Sequence, residues 1–135
     1  MASDVNAAWA AVEKELNDNW DFCPIAWPGA DFTPPETEPY WWLRATPLFG
    51  GSTMASMTTT GYNMVDGIWD LDLFDKPGNG YGILRDYADR LRDLFDRATI
   101  GTVEFQAAEP PRIIRNSQGW LHLKVSIPFT MDEQS

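Results

Sequence analysis

Apolar and polar side chains alternate along the segment 121–129, and this pattern constrains the fold more than any other feature of the chain. Leucine, valine, isoleucine and phenylalanine take the odd positions, whereas His122, Lys124 and Ser126 lie between them. A period of two residues is typical of a β-strand with one buried face. We therefore expect a half-buried strand near the end of the chain.

The segment 62–75 is expected to form a second strand of the same kind. The odd positions between Trp69 and Leu73 are apolar, whereas Asp70 and Asp72 belong to the other face. Two carboxylates on one strand face can bind a divalent cation in some enzymes. No phosphate-binding loop or third positioned ligand accompanies this pair, so the pattern favours an ordinary strand face exposed to solvent.

Two segments, 4–17 and 83–98, have the 3.6-residue period of amphipathic helices. The second is the clearer, because arginines and aspartates occupy the side opposite its apolar stripe. The helix stripe and the apolar strand faces need each other for burial. The predicted core therefore comprises Leu71, Leu73, Leu84, Leu91, Phe95, Leu123, Val125 and Ile127.

The order helix, strands, helix, strands predicts an α+β fold. No regular β–α–β alternation is present, so we expect a mainly antiparallel sheet of about four to six strands with two helices packed on one face. At 135 residues the chain is long enough to bury one core. We expect a single domain, 1–135, with an N-terminal helix in 1–20, an α+β core in 21–129 and a polar tail in 130–135.

The chain is acidic, with a net charge of −10, and most of the excess lies in the segment 1–43. Nonspecific binding to nucleic acid needs a basic face, so this composition argues against a nucleic-acid partner. The one cysteine, Cys23, excludes an intrachain disulfide and fits folding in a reducing cytosol. No segment has the length and apolar character of a membrane span, so no membrane partner is expected.

Candidate residues for catalysis or metal binding are few. His122 is the only histidine, and we expect it at the surface, on the polar face of the last strand. No motif places a nucleophile or a carboxylate beside it, and one histidine with one cysteine cannot make the usual structural zinc site. The sequence therefore predicts no catalytic residue, no metal and no cofactor, and favours a binding or assembly protein over an enzyme.

A set of short landmarks in a fixed order resembles the tail terminator, or tail completion, proteins of long-tailed bacteriophages. The resemblance covers roughly residues 20–131 and depends on the order and spacing of the landmarks together. They are Pro24-Ile-Ala-Trp27, Phe32-Thr-Pro34, Tyr40-Trp-Trp-Leu-Arg44, Gly61 through Gly67-Ile-Trp-Asp-Leu-Asp-Leu-Phe74, Pro77-Gly-Asn-Gly80, Ala88-Asp89, Leu91, Phe95, Gly119-Trp120 and Val125-Ser-Ile-Pro-Phe129.

The resemblance implies a small α+β subunit that forms a hexameric ring on the finished tail tube. Such a ring stops tube polymerisation and provides the surface for joining the head. The implied partners are other copies of the chain, the tail tube protein and a head–tail connector or neck protein. The implied location is the tail–neck junction of the virion, after assembly in the bacterial host cytoplasm. The alternatives are an acidic inhibitor that mimics the charge of DNA, and another neck or head–tail joining protein of the same virion.

Candidate interface residues come from aromatic and polar strand positions and from one uncharged segment. The segment Phe49–Gly61 is expected to be a mobile loop that orders against a neighbouring subunit or the tube. A tryptophan exposed on a polar strand face is a common anchor at interfaces. The candidates are Trp41, Arg44, Phe49, Met54, Met57, Trp120, His122 and Lys124.

Overall fold

The computed structural model describes residues 5–54 and 63–133, which form two helices and a seven-stranded sheet. Both helices lie within a few residues of their expected positions. Neither is long and apolar enough, in this described part of the chain, to cross a membrane. The elements are α1 (Val5–Asn19), β1 (Ile25–Ala26), β2 (Trp42–Met54), β3 (Asn63–Asp75), α2 (Gly82–Phe95), β4 (Thr99–Ile100), β5 (Val103–Phe105), β6 (Arg112–Ser117) and β7 (Trp120–Glu133).

The strands of the sheet follow the order β1-β2-β3-β7-β5-β4, and β6 pairs with the start of β7 on the side where β5 pairs with its end. The pairings between described strands are antiparallel except for that of β1 with β2. The expected α+β fold with a mainly antiparallel sheet is confirmed. The sheet has seven strands rather than four to six, because β1, β4 and β5 add pairings of only two or three residues.

The core lies between the helices and the odd-numbered side chains of β3 and β7. These two strands pair along their length, with Leu71 opposite Val125. The Trp69 ring contacts Trp9 of α1 at 5.3 Å and Phe95 of α2 at 4.7 Å between ring centroids. Both helices therefore pack on one face of the sheet, as expected, and all eight residues of the predicted core are buried.

A glycine in the central strand makes room for an aromatic ring of this core. Gly67 of β3 lies opposite Phe129 of β7. A Cβ atom at Gly67 would come within 2.7 Å of the Leu48 carbonyl oxygen and would overlap the Phe129 ring. Because Gly67 has no side chain, the Phe129 ring lies over it. The centroid of this ring is 4.8 Å from that of Trp9, and the contact helps to hold α1 on the sheet.

Strand β2 extends further than the sequence indicates. The segment Phe49–Gly61 is expected to be a loop, but its residues up to Met54 belong to β2 and pair with β3 after a bulge. A bulge inserts an extra residue and interrupts the alternation that marks a strand, which explains the error. The rest of the expected loop, 55–61, lies outside the described residues.

Strand β7 also continues beyond its expected end, through Pro128 to Glu133. Most of the expected polar tail 130–135 is therefore strand, and Met131 is buried. The Pro128 carbonyl accepts a hydrogen bond from the Gln106 N–H at 2.8 Å. Since the nitrogen and carbonyl of one strand residue point to the same side, the proline nitrogen faces this connection and costs β7 no hydrogen bond to β3.

Replacing Leu91 with alanine should lower the free energy of unfolding by about 2–5 kcal/mol, because it leaves a cavity on the buried side of α2. Ile83 on the same helix is 39% exposed, so Ile83→Ala is the matched control and should cost less than about 1 kcal/mol. Urea unfolding followed by circular dichroism measures both. Equal losses in the two variants would contradict this packing.

Candidate assembly surfaces

The face of the sheet opposite the helices, here the helix-free face, carries charged side chains at its centre. Arg44 of β2, Asp72 of β3 and Lys124 of β7 are cross-strand neighbours. Arg44 Nη2 lies 3.5 Å from Asp72 Oδ2, and Lys124 Nζ lies 3.8 Å from Asp72 Oδ1. His122 Nε2 lies 2.6 Å from the same Oδ1. Asp72 therefore contacts basic side chains from both neighbouring strands.

A second carboxylate, Asp70, connects β3 to β7 in a similar way. Lys124 Nζ lies 3.4 Å from Asp70 Oδ2, and Ser126 Oγ donates a hydrogen bond to Asp70 Oδ1 at 2.7 Å. Lys124 thus lies between the two carboxylates and contacts both. We call this group the ionic cluster; its members are Arg44, Asp70, Asp72, His122, Lys124 and Ser126.

The carboxylates and the histidine of the ionic cluster are buried, contrary to expectation. Asp72 is 2% exposed, Asp70 9% and His122 5%, so the predictions of a surface histidine and of solvated carboxylates are wrong. The His122 ring stacks on Phe74 at 4.3 Å, and burial of a carboxylate is tolerated where cations and donors surround it. The sequence signal for these contacts was the set of basic and hydroxyl residues that alternate with the apolar residues of 121–129. That they face the aspartates becomes visible only in the folded sheet.

The contacts of the ionic cluster are those of a structural network. Oxygens of both carboxylates contact protein cations or hydrogen-bond donors. Among the residues that the structure describes, no group of three or more histidine, cysteine, aspartate or glutamate side chains could hold a metal ion. The Asp70 and Asp72 pair therefore serves to join three strands.

The thiol of Cys23 is also accounted for by packing. It lies against the main core on the helix side of the sheet, and burial raises its pKa to about 11. The Trp20 indole N–H donates to the Cys23 sulfur at 3.4 Å and opposes this shift. At neutral pH the thiol is protonated, and a protonated thiol is a poor nucleophile.

An aromatic cleft lies beside the ionic cluster on the helix-free face. Trp42 stacks on Phe74 at 4.2 Å, and Trp120 meets Trp42 edge-on at 5.8 Å. The Arg44 guanidinium lies 5.0 Å from the Phe74 ring centroid, and its side chain is 47% exposed. The cleft, of about 460 Å³, thus offers aromatic surface and a cation to solvent. Its lining residues are Pro34, Trp42, Arg44, Phe74, Gln118, Trp120 and His122.

The eight candidate interface residues do not form one surface. Trp41 lies on the helix side, where its indole N–H donates to the Phe22 carbonyl at 3.2 Å. Phe49 also contacts the helix side and is 44% exposed. The side chain of Met54 and the whole of Met57 lie outside the described residues. The four that the structure brings together on the helix-free face are Arg44, Trp120, His122 and Lys124.

Two exposed residues that the sequence analysis did not single out form an apolar patch on the helix-free face. Leu48 of β2 lies opposite Ile68 of β3, and they are 51% and 40% exposed. Both residues occupy even positions of their strands, and the other even positions on this part of the face are mainly polar. An apolar residue at such a position is the sequence signal that could have identified them. Since contiguous exposed apolar surface is typical of interaction sites, this pair is a candidate contact point.

A protein-family model described as phage tail terminator protein matches residues 7–129. The chain belongs to this family. The match confirms the resemblance drawn from the landmarks and gives the terminator a structural role in phage tail assembly.

A chain of one solved structure has the same fold as this terminator. The alignment covers 96% of this chain and 95% of that chain, with a TM-score of 0.66 and 20% sequence identity. At such low identity the similarity shows the fold alone. No curated protein matches the chain.

Replacing Asp72 with alanine should lower the free energy of unfolding by about 3 kcal/mol or more, because Arg44, His122 and Lys124 lose a buried partner. Asp66 lies on the same strand and face but is exposed, so Asp66→Ala should change stability by less than about 1 kcal/mol. Urea unfolding of both variants is the measurement. A similar, small effect in both would show that the cluster is not structural.

Proposed function

We propose that the protein is the subunit of a ring that caps the phage tail tube, stops its polymerisation and presents a joining surface to the head. The observation that carries this proposal is the family match over residues 7–129. The family resemblance further supplies the expected number of six copies. The chain is proposed to act without catalysis or a cofactor.

The proposed partners are other copies of the chain, the tail tube protein and a head–tail connector or neck protein. The proposed location is the tail–neck junction of the virion, reached after assembly in the bacterial host cytoplasm. These partners follow from the role of a terminator, which must recognise the last tube ring on one side and the head on the other.

The distribution of exposed apolar residues supports a subunit with several contacts. A subunit of a closed ring needs two different surfaces for its neighbours, since the contact is heterologous, and a further surface for the tube. The apolar patch lies on the helix-free face, Phe49 lies on the helix side, and Ile113 lies on the edge strand β6. The patch and Phe49 lie on opposite faces of the sheet, and β6 is separated from β2 by β3 and β7, so the three places can serve different partners.

Burial of the two carboxylates of the ionic cluster favours the ring subunit over an acidic mimic of DNA. A mimic presents carboxylates to solvent at phosphate-like spacing, but Asp70 and Asp72 are buried beside Arg44 and Lys124. Another neck protein of the same virion could share the fold, and binding to tube ends distinguishes the two.

The protein added to polymerising tail tube subunits should give tubes of limited length with a ring at one end, seen by electron microscopy. The double variant Leu48→Asp and Ile68→Asp should cap fewer tubes, because it places charges in the apolar patch. Ile83→Asp, at an exposed position on α2, is the control and should cap normally. Bare tube ends with the wild-type chain would contradict the terminator role and favour another neck position.

Assembly of the free protein should increase as the salt concentration rises from about 10 mM to about 150 mM, since copies of net charge −10 repel each other over roughly a Debye length. The double variant Asp31→Lys and Glu109→Lys, at two exposed positions, should assemble at lower salt. Sedimentation velocity measures the fraction in oligomers. Assembly that is independent of salt in both proteins would show that net charge does not oppose ring formation.

A further inference from the structure

Strand β6 is an edge strand with a side-chain composition unlike the rest of this acidic chain. Ile113 is 47% exposed, and Arg112 and Arg115, which flank the apolar pair 113–114, are exposed as well. Neither arginine forms an ion pair with a residue in the described ranges. Arginine beside exposed apolar surface is enriched at protein–protein interfaces, so this edge has the character of a contact surface.

A groove of complementary character lies between α1 and β2. Its volume is about 430 Å³, and its side chains are apolar except for Asn6 and the carboxylate of Glu13. Burial raises the pKa of Glu13 above its usual value, because water is partly excluded around it. An incoming apolar side chain with a cation beside it would satisfy both parts of this groove. The described residues that line it are Val5, Asn6, Trp9, Ala10, Glu13 and Phe49.

The groove and strand β6 lie on different sides of the molecule, because β3 and β7 separate β2 from β6. When β6 of one copy contacts the groove of a second copy, the pair therefore still has one free β6 strand and one free groove. Further copies can add in the same way, and such a heterologous contact closes into a ring when its rotation permits.

The outer edge of β2 favours contact through side chains over addition of a further strand. The Leu43 N–H donates to the Pro24 carbonyl at 2.9 Å, so the odd residues of β2 direct their backbone groups to that edge. Pro47 is one of them and has no N–H to offer. Proline on an edge strand blocks pairing with a second strand, which leaves the groove as the surface to be filled.

We propose that successive copies of the chain join by insertion of Ile113 from one copy into the α1–β2 groove of the next, where Arg115, on the same side of β6 as Ile113, meets the Glu13 carboxylate. This inference rests on the proposed ring function and names the contact that builds the ring. The second copy is the occupant because the same chain carries both halves, an exposed apolar side chain with a cation beside it and an apolar groove with a carboxylate. The charged groups attract each other most strongly where they are desolvated together.

Ile113→Ser should raise the protein concentration needed for assembly by about tenfold or more, since apolar anchors carry most of the free energy of such contacts. Ile83→Ser, at a similarly exposed isoleucine outside both surfaces, is the matched control. Ala10→Trp should fill the groove and act like Ile113→Ser, whereas Ala11→Trp, at the next exposed position of α1, should assemble normally. Sedimentation velocity of the full chain, alone and with tail tubes, measures assembly, and circular dichroism verifies folding.

A charge exchange tests the pairing without relying on loss of an apolar side chain. Glu13→Arg should weaken assembly, as should Arg115→Glu, and the variant with both changes should assemble again. A charge-exchanged variant as weak as Glu13→Arg, or an Ile113→Ser variant that assembles like the wild type, would overturn this contact while leaving the ring in place. Failure of the wild-type chain to form rings, in solution and on tubes, would overturn the proposed function itself.

Discussion

The pairing of β3 with β7 determines the rest of the structure, because both faces of the pair specify the same register. On one face Leu71 lies opposite Val125 beneath the helices, and on the other Asp72 lies opposite Lys124. A slip of one residue would turn the apolar side chains away from the helices and place carboxylates under them. Hydrophobic burial and ion pairing therefore select one arrangement, onto which both helices and the outer strands pack.

The ionic cluster specifies this register more than it adds net stability. Taking Asp72 out of water costs free energy that its attraction to Arg44 and Lys124 offsets only in good geometry, and buried ion pairs commonly do no better than apolar side chains of the same volume. Its contacts, however, join β2, β3 and β7 in one alignment only. That alignment fixes the positions of the aromatic cleft at one end of the helix-free face and of the apolar patch at the other.

The elements with a local pattern could be predicted from the sequence, and the contacts between distant segments could not. Helix α2 and the central strands are recognisable because their periods lie within a dozen residues, and their buried faces follow from those periods. The burial of His122 depends on Asp72, fifty residues away, and a strand pattern does not reveal its neighbour. Strand β6 lacks a clear period, so the exposure of Ile113 became visible only in the folded sheet. The family could be recognised from the sequence because its landmarks are spread along the chain. These landmarks correspond to positions in the fold and identify no interface.

Net charge and local contact act over different distances in the proposed ring, and this difference suits a terminator. Copies of net charge −10 repel over roughly 8 Å at physiological salt, whereas the proposed attraction of Arg115 for Glu13 acts at contact. A single contact between free copies is weakened by this repulsion. On a tube end, each bound copy holds its neighbour at a high effective concentration, and several weak contacts then act together. Closure of the proposed ring is thereby favoured where a tube already exists, which is the only place where a ring can mark the end of a tail.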